Sequence, residues 1–295
     1  MAIGEIGLTS SMRSNLISLQ TTARLLGQTE ERLSTGKRVN TAVDNPANFF
    51  AAQGHTSRSN QLTGLKDGIS EAIQTVKAAD SGIKAVLSTL EALRGVATQA
   101  RSAINDTVNS GTVVGLTALD GLKGQYNRLV GQLNNLVADS NYKGTNFLAG
   151  TGTTLTVNLN ENATTSIVIS GFDGSASGLA ISGGLSASGV GMTGDVDVEL
   201  TSATGLNALE GSLNKAIATL QTQSGALAAN LNTLTTRQTF ITEMVNTLIV
   251  GATKLTEADT NEEGANLLSL QTKQQLGTTA LSISSQAEQS ILRLF

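Results

Sequence analysis

The pattern that most constrains the fold is a run of apolar residues spaced alternately three and four apart over residues 62–104. Its members are Leu62, Leu65, Ile69, Ala72, Val76, Ala79, Ile83, Val86, Leu90, Leu93, Ala97, Ala100 and Ile104. This spacing is that of a heptad seam, which lines one side of a long helix. We expect five of its residues to carry the helix packing: Ile69, Val76, Ile83, Leu90 and Leu93. The pattern therefore predicts a long helix in a bundle or coiled coil.

Two further helical patterns and the composition agree with an all-helical core. Leucines and other apolar residues recur at helical spacing over residues 119–136 and 206–255, the second run being interrupted by Ser224 and Gln238. Aromatic residues make up only 3% of the chain and there is no Trp, so Leu, Ile, Val and Ala must fill the core. Three long amphipathic helices of this kind can share one elongated core.

Both ends of the chain carry a helical apolar pattern that little neighbouring sequence can bury. The first pattern is Met12, Leu16, Leu19, Ala23, Leu26 and Leu33, and the second is Leu276, Ala280, Ile283, Ala287, Ile291 and Leu294. Helices of this length are marginal in water without packing. We therefore expect the two ends to complete their fold in an assembly.

Local signals predict where the first two helices end and begin. Gly36 is the expected C-cap of a helix over residues 5–35. Pro46, the single proline, suits the first position of the next helix, with Asn45 as its N-cap.

The middle of the chain, residues 151–204, is rich in Gly, Ser and Thr. Its segments 155–159 and 166–170 (LTVNL and SIVIS) predict two strands around a turn, and 195–200 (DVDVEL) is a third candidate. The alternative is a disordered linker.

Composition argues against several classes of function. The net charge of −4 is too small to indicate binding to nucleic acid or an anionic membrane. The chain has no cysteine for thiolate metal sites, and its single histidine, His55, cannot form a two-histidine zinc motif. His55 lies in a polar run and is expected to be exposed. No apolar stretch is long enough to span a bilayer, and residues 1–15 lack the apolar core of a Sec signal peptide. We expect no enzymatic activity, no catalytic residue, no cofactor, no metal and no membrane insertion.

Four segments resemble bacterial flagellins, most closely those of alphaproteobacteria. They are 31–53 (ERLSTGKRVNTAVDNPANFFAAQ), 66–83 (KDGISEAIQTVKAADSGI), 140–150 (SNYKGTNFLAG) and 253–295, which contains LQTKQQLG and ends in ILRLF. The resemblance covers both ends and, in outline, the whole chain.

The resemblance implies a mainly α fold: an elongated antiparallel helical bundle and a coiled coil formed by both chain ends, with a short β-hairpin-containing insert. It implies a terminal coiled-coil domain (1–44 and 256–295) lining the inner tube of a filament, and a helical rod domain (45–150 and 205–255). The hairpin and a short outer insert would occupy 151–204.

The resemblance also implies a function and a set of partners. The chain would polymerise with itself into the extracellular flagellar filament for swimming motility. It would be secreted unfolded through the type III export apparatus with an export chaperone, and would assemble at the distal tip beneath the cap protein, beyond the hook–filament junction proteins. The terminal helices would order on assembly.

One stretch departs from the family. Flagellins sensed by the Toll-like innate receptor carry a motif resembling LQRVRELAVQ, and the aligned stretch here is LEALRGVATQ, residues 90–99. Leu90, Arg94 and Gln99 are retained, whereas Ala92 and Gly95 replace an arginine and a glutamate. We expect weak or absent receptor recognition, which a reporter-cell response equal to that of an enteric flagellin would refute.

Two alternatives remain at this point. A hook–filament junction protein shares the terminal helices but stops at low copy number, whereas a flagellin grows long filaments. A signalling coiled coil, such as a chemoreceptor rod, would continue its heptads without an insert like residues 151–204, whose charged residues are all Asp or Glu. Its absence from sheared cell-surface protein would distinguish it.

Overall fold

The computed structural model describes residues 10–110, 114–181 and 203–292 of the 295-residue chain. In chain order these residues form helices α1 (Ser10–Thr35), α2 (Pro46–Ser110) and α3 (Val114–Asp139), strands β1 (Thr154–Asn158) and β2 (Ser166–Ser170), and helices α4 (Ala203–Thr256) and α5 (Thr260–Leu292). The prediction of a mainly helical chain with a hairpin in its middle is confirmed. The third candidate strand, 195–200, lies outside the described residues.

The helix boundaries follow the predicted caps. Gly36 follows α1 with a φ of +66°, a left-handed conformation that glycine adopts without strain. Pro46 opens α2, and the backbone N–H of Asn48 donates to the Asn45 side-chain oxygen at 3.1 Å. The Asp259 carboxylate caps α5 in the same way, accepting from the backbone of Asn261 at 2.9 Å. The two caps predicted from the sequence, Gly36 and Asn45, are confirmed.

The contacts of the described chain divide it into two units, one of residues 1–60 and 244–295 and the other of residues 61–243. We call them the terminal unit and the central unit. The boundaries that the sequence suggested, near residues 44 and 256, differ from this division and stay a prediction.

Within the central unit, α4 runs antiparallel to α2. Three polar contacts link the helices in opposite order along the chain: Gln238 to Ser70 at 2.7 Å, Ser224 to Asp80 at 3.1 Å, and Glu210 to Arg101 at 3.0 Å. Apolar residues fill the core between these contacts. The seam residues Ile69, Val76, Ile83, Leu90 and Leu93 are buried, as are Tyr126 and Leu133 of α3 and Leu206, Leu213, Leu220 and Leu234 of α4.

The hairpin is antiparallel and has one buried face. Leu155 pairs with Ile169 and Val157 with Ile167, and this side of the ribbon carries the buried residues Val157 and Ile169. Val168 points the other way and is exposed. The alternation that predicted the strands therefore matches a ribbon with one apolar face.

Candidate assembly surfaces

Helices α1 and α5 pack against each other within the terminal unit. The residues of α1 that are buried or half-buried step by three and four: Met12, Asn15, Leu19, Thr22, Leu26, Thr29 and Arg32. Most of those of α5 do the same: Glu263, Leu267, Leu270, Gln274, Gly277, Leu281 and Ser284, with Gly264 and Ser285 half-buried beside them. Each helix therefore presents a heptad seam, as in a coiled coil.

This seam is unusually polar for a coiled coil. About half of its positions are Asn, Thr, Arg, Glu, Gln, Gly or Ser, where a stable coiled coil carries Leu, Ile or Val. Because little apolar surface is buried between the two helices, their pairing gains little free energy from the hydrophobic effect. The α1–α5 pair is therefore poorly stabilised by its own contact.

The outer side of α5 carries the apolar residues that the seam lacks. Leu268, Leu276 and Ile283 are 66%, 64% and 61% exposed, and the helical period places them roughly opposite the seam. Ala280 and Ala287 are also exposed and share this side. We call these five residues the outer stripe of α5.

Four of the six residues predicted at the C-terminal end thus lie outside the α1–α5 contact. Leu276, Ala280, Ile283 and Ala287 are exposed, while the Ile291 side chain and Leu294 lie outside what the structure describes.

The residues predicted on α1 divide between two environments. Met12 is buried, and Leu19 and Leu26 are half-buried in the seam. Ala23 is exposed, and Leu16 and Leu33 lie at the margin with 38% and 37% of their surface accessible. Ile17 and Leu25, which the sequence pattern did not select, are exposed as well. The apolar residues that the sequence pattern grouped on α1 therefore belong to two partly overlapping faces of the helix, one in the α1–α5 seam and one exposed.

Sequence reasoning missed the polar members of the seam. Arg32 Nη1 lies 3.0 Å from Glu263 Oε1, and the Glu263 side chain is only 8% exposed. Leu19 packs over Gly277. A heptad count started at Met12 passes through Asn15, Thr22 and Thr29, and Arg32 follows Thr29 after a second step of three. A search for apolar residues passes over these positions.

Large apolar side chains are exposed mainly in the terminal unit. Of those in the described part of the chain, only Val168 and Phe240 belong to the central unit. The others are Leu16, Ile17, Leu25, Leu33, Val43, Phe50, Ile249, Val250, Leu268, Leu276 and Ile283. An accumulation of this kind on one unit is typical of a surface that takes part in an interaction.

The described residues offer little for chemistry on a small molecule. They contain no group of three or more His, Cys, Asp or Glu side chains able to hold a metal ion. His55 is half-buried beside Gly251, where the sequence predicted an exposed ring. No described helix has the length and apolar character needed to cross a membrane.

The degenerate receptor stretch lies along α2. Leu90 is buried in the helical core, whereas Ala92, Arg94, Gly95 and Gln99 are exposed. The residues that differ from the family pattern are therefore on the surface, and weak receptor recognition stays a prediction.

Two family models match the two parts of the chain that form most of its helices. The bacterial flagellin N-terminal helical region matches residues 7–153, and the bacterial flagellin C-terminal helical region matches residues 211–295. The chain is 29% identical to the flagellin FljO of Caulobacter vibrioides, with all of both chains covered. It is 27% identical to a flagellin of Brucella melitensis, with 97% of both chains covered.

A crystal structure of Bacillus cereus flagellin is similar with a TM-score of 0.45 and 16% identity, over 59% of this chain and 88% of that one. Both family models and both full-length relatives are flagellins, and the two relatives are alphaproteobacterial, as the sequence resemblance suggested. The chain belongs to the bacterial flagellin family.

Proposed function

We propose that this flagellar filament subunit assembles through the exposed apolar residues of its terminal unit, with the outer stripe of α5 as the main contact between copies. The observation that carries the proposal is the position of Leu268, Leu276 and Ile283 outside the α1–α5 seam. Each would bury most of its surface against a neighbouring subunit and contribute about 1.5–3 kcal/mol if fully buried. Repeated along a filament, these contacts would offset the entropy of ordering the terminal helices.

The family supports finer proposals that follow the same assignment. Residues 1–44 and 256–295 would line the inner tube, residues 45–150 and 205–255 would form the rod, and 151–204 would face outward. The subunit would be secreted unfolded by the type III export apparatus with a chaperone and would be added beneath the cap. A purely structural role without enzymatic activity agrees with a family of filament subunits.

Polar substitution of the outer stripe tests the proposal. The variant Leu276→Gln/Ile283→Gln should fold but fail to extend filament seeds, because two apolar contacts per subunit interface become buried polar groups. Seeded growth would be imaged by negative-stain electron microscopy, with Phe240→Gln as the matched change of an exposed apolar residue in the central unit. Filaments of normal length from the double variant would refute the proposed contact.

The same assay distinguishes a flagellin from a hook–filament junction protein. A flagellin should extend seeds into long filaments, whereas a junction protein should add a short, capped segment. None of the observations favours the junction alternative.

A further inference from the structure

Leu19 and Gly277 meet in the α1–α5 seam with no space between them. A Cβ atom built on Gly277 would lie 2.7 Å from Leu19 Cδ2 and 3.0 Å from Leu19 Cγ. Carbon atoms do not approach this closely without displacement, so any side chain at position 277 would move Leu19 or separate the helices. The other glycine of α5, Gly264, has no such neighbour, since nothing lies within 4 Å of a Cβ built there.

Arg32 and Glu263 form a second specific contact in the same seam. Arg32 Nη1 donates to Glu263 Oε1 at 3.0 Å. The other carboxylate oxygen, Glu263 Oε2, is buried and accepts no hydrogen bond from the described residues. A buried carboxylate with one satisfied oxygen depends strongly on its single partner, because loss of Arg32 would leave an uncompensated buried charge.

Both contacts belong to one antiparallel register of the two helices. Arg32 lies thirteen residues after Leu19 on α1, while Glu263 lies fourteen residues before Gly277 on α5. A slip of α5 by one heptad would bring Leu270 or Ser284, instead of glycine, to Leu19 and would separate Glu263 from Arg32. A buried polar group that finds its partner in only one alignment is the best-attested device for fixing register in coiled coils.

We propose that the Leu19–Gly277 and Arg32–Glu263 pairs, hereafter the register contacts, fix the register of α1 against α5 and thereby position the outer stripe for assembly. The inference rests on the proposed function, because it assigns a purpose to the seam beneath that stripe. A seam this poor in apolar residues has little else to select one alignment from its neighbours. The residues act by positioning the stripe and do not themselves contact a neighbouring copy.

Engineered cysteine pairs measure the register directly, because the chain has no cysteine of its own. Thr22 lies three residues after Leu19, and Gln274 three before Gly277, so Thr22→Cys/Gln274→Cys is the pair in register. Thr22→Cys/Leu267→Cys is displaced by one heptad. In filaments of the otherwise unchanged chain, the first pair should form an intramolecular disulfide at least about tenfold faster, because disulfides require Cα atoms within about 7 Å. Similar rates for both pairs would overturn the proposal.

Variants of the register contacts should shift this ratio and weaken assembly together. Gly277→Leu should reduce the ratio and raise the critical concentration for seeded growth by about tenfold, which corresponds to about 1.4 kcal/mol. Gly264→Leu, the same change on the same helix, should alter neither. Restoring space with Leu19→Ala/Gly277→Leu should recover most of both readouts.

Charge reversal tests the ion pair in the same way. Arg32→Glu and Glu263→Arg should each lower the cross-linking ratio and the extent of growth, and the double variant Arg32→Glu/Glu263→Arg should restore both. If neither double variant recovers either readout, the register role is overturned. The losses in the single variants would then be explained by a general loss of folding. If the unchanged chain does not extend seeds, the proposed function itself fails, and this result differs from every outcome above.

Discussion

At the scale of single residues, two glycines of α2 show opposite requirements. A Cβ built on Gly82 would lie 2.7 Å from the Ser140 Cβ and 3.2 Å from Leu148 Cδ2, whereas nothing lies within 4 Å of one built on Gly95. Gly82 therefore permits the segment around residue 140 to approach α2. Gly95 has no such use in the subunit and leaves the helix with the conformational freedom of a glycine.

These two positions should respond in opposite directions to the same substitution. Gly82→Ala should lower the free energy of unfolding by about 1–3 kcal/mol, because it overpacks a close contact. Gly95→Ala should raise it by about 0.5–1 kcal/mol through helix propensity. Urea denaturation followed by circular dichroism checks both, and each variant serves as the control for the other. Equal destabilisation by the two changes would contradict this account.

Asp44 organises the loop between α1 and α2. Its Oδ2 accepts from the backbone N–H groups of Thr41 and Asn40 at 2.9 and 3.0 Å and from the Thr41 hydroxyl at 3.1 Å. The backbone hydrogen bond from Thr41, followed by the one from Asn40, lowers the pKa of Asp44 below its usual 3.8. These hydrogen bonds favour the charged form.

A lowered pKa predicts the direction of a pH effect. The Asp44 carboxylate stabilises the loop at pH values above its ordinary, unfolded-state pKa of 3.8. This contribution is lost as the pH falls through the still lower folded-state value. At pH 7, Asp44→Asn should therefore speed amide exchange of Asn40 and Thr41. The difference from the unchanged chain should shrink below pH 4. Hydrogen–deuterium exchange measures the rates of both amides, with the equivalent amides of the Asp259 cap as an internal reference. A difference between the variant and the unchanged chain that grows in acid would be inconsistent with this role.

At the scale of elements, sequence patterns predicted the periodic helix seam, the caps and the strands. They missed the side-chain pairs that join elements far apart in the sequence. The seam of α2, the caps at Gly36 and Asn45 and both hairpin strands follow from spacing and local propensity, which act within a few residues. Ser224 and Gln238 looked like interruptions of α4, yet they hydrogen-bond to Asp80 and Ser70 on α2. Such partners lie more than a hundred residues away, and nothing in the local pattern identifies them.

The α1–α5 seam illustrates the same limit for the candidate site. Periodicity selected apolar residues and therefore found four of the five residues of the outer stripe of α5, missing Leu268. It could not distinguish a stripe that packs inside the subunit from one left exposed. Glu263 and Gly277 carry no apolar signal, and their role depends on which residue of α1 lies opposite. Register between distant segments is a property of three-dimensional packing, which one sequence does not encode locally.

The hairpin offers a test of its one-sided packing. Ile169 is 1% exposed and Val168, its neighbour on the opposite face, is 57% exposed. Ile169→Ala should lower the free energy of unfolding by about 2–5 kcal/mol through the lost burial and the cavity left behind. Val168→Ala, the control, should change it by no more than about 0.5 kcal/mol. Thermal and urea unfolding provide the comparison, and a larger effect at Val168 would mean that the opposite face of the ribbon is the packed one.

At the scale of the whole molecule, the two units differ in how many of their large apolar side chains they bury. The central unit buries a continuous set of Leu, Ile and Val residues, and only Val168 and Phe240 are large apolar side chains left exposed in its described part. The terminal unit has few apolar residues in its α1–α5 seam, and eleven large apolar side chains among its described residues are exposed. We therefore expect the central unit to fold from its own contacts and the terminal unit to depend on neighbouring copies for its stability.

This difference predicts what deletion of an end does. Removal of residues 1–43 takes away α1 and exposes the seam of α5, so polymerisation should be abolished and not merely slowed. Removal of residues 256–295 should have the same effect, because it deletes α5 and its outer stripe. The central unit, which contains neither end of the chain, should keep its thermal transition within a few degrees of the intact chain's. Seeded growth viewed by electron microscopy and thermal unfolding by circular dichroism give the two readouts. Filaments from either truncated chain would place the driving force outside the terminal helices, and loss of the thermal transition would show that the central unit depends on them to fold.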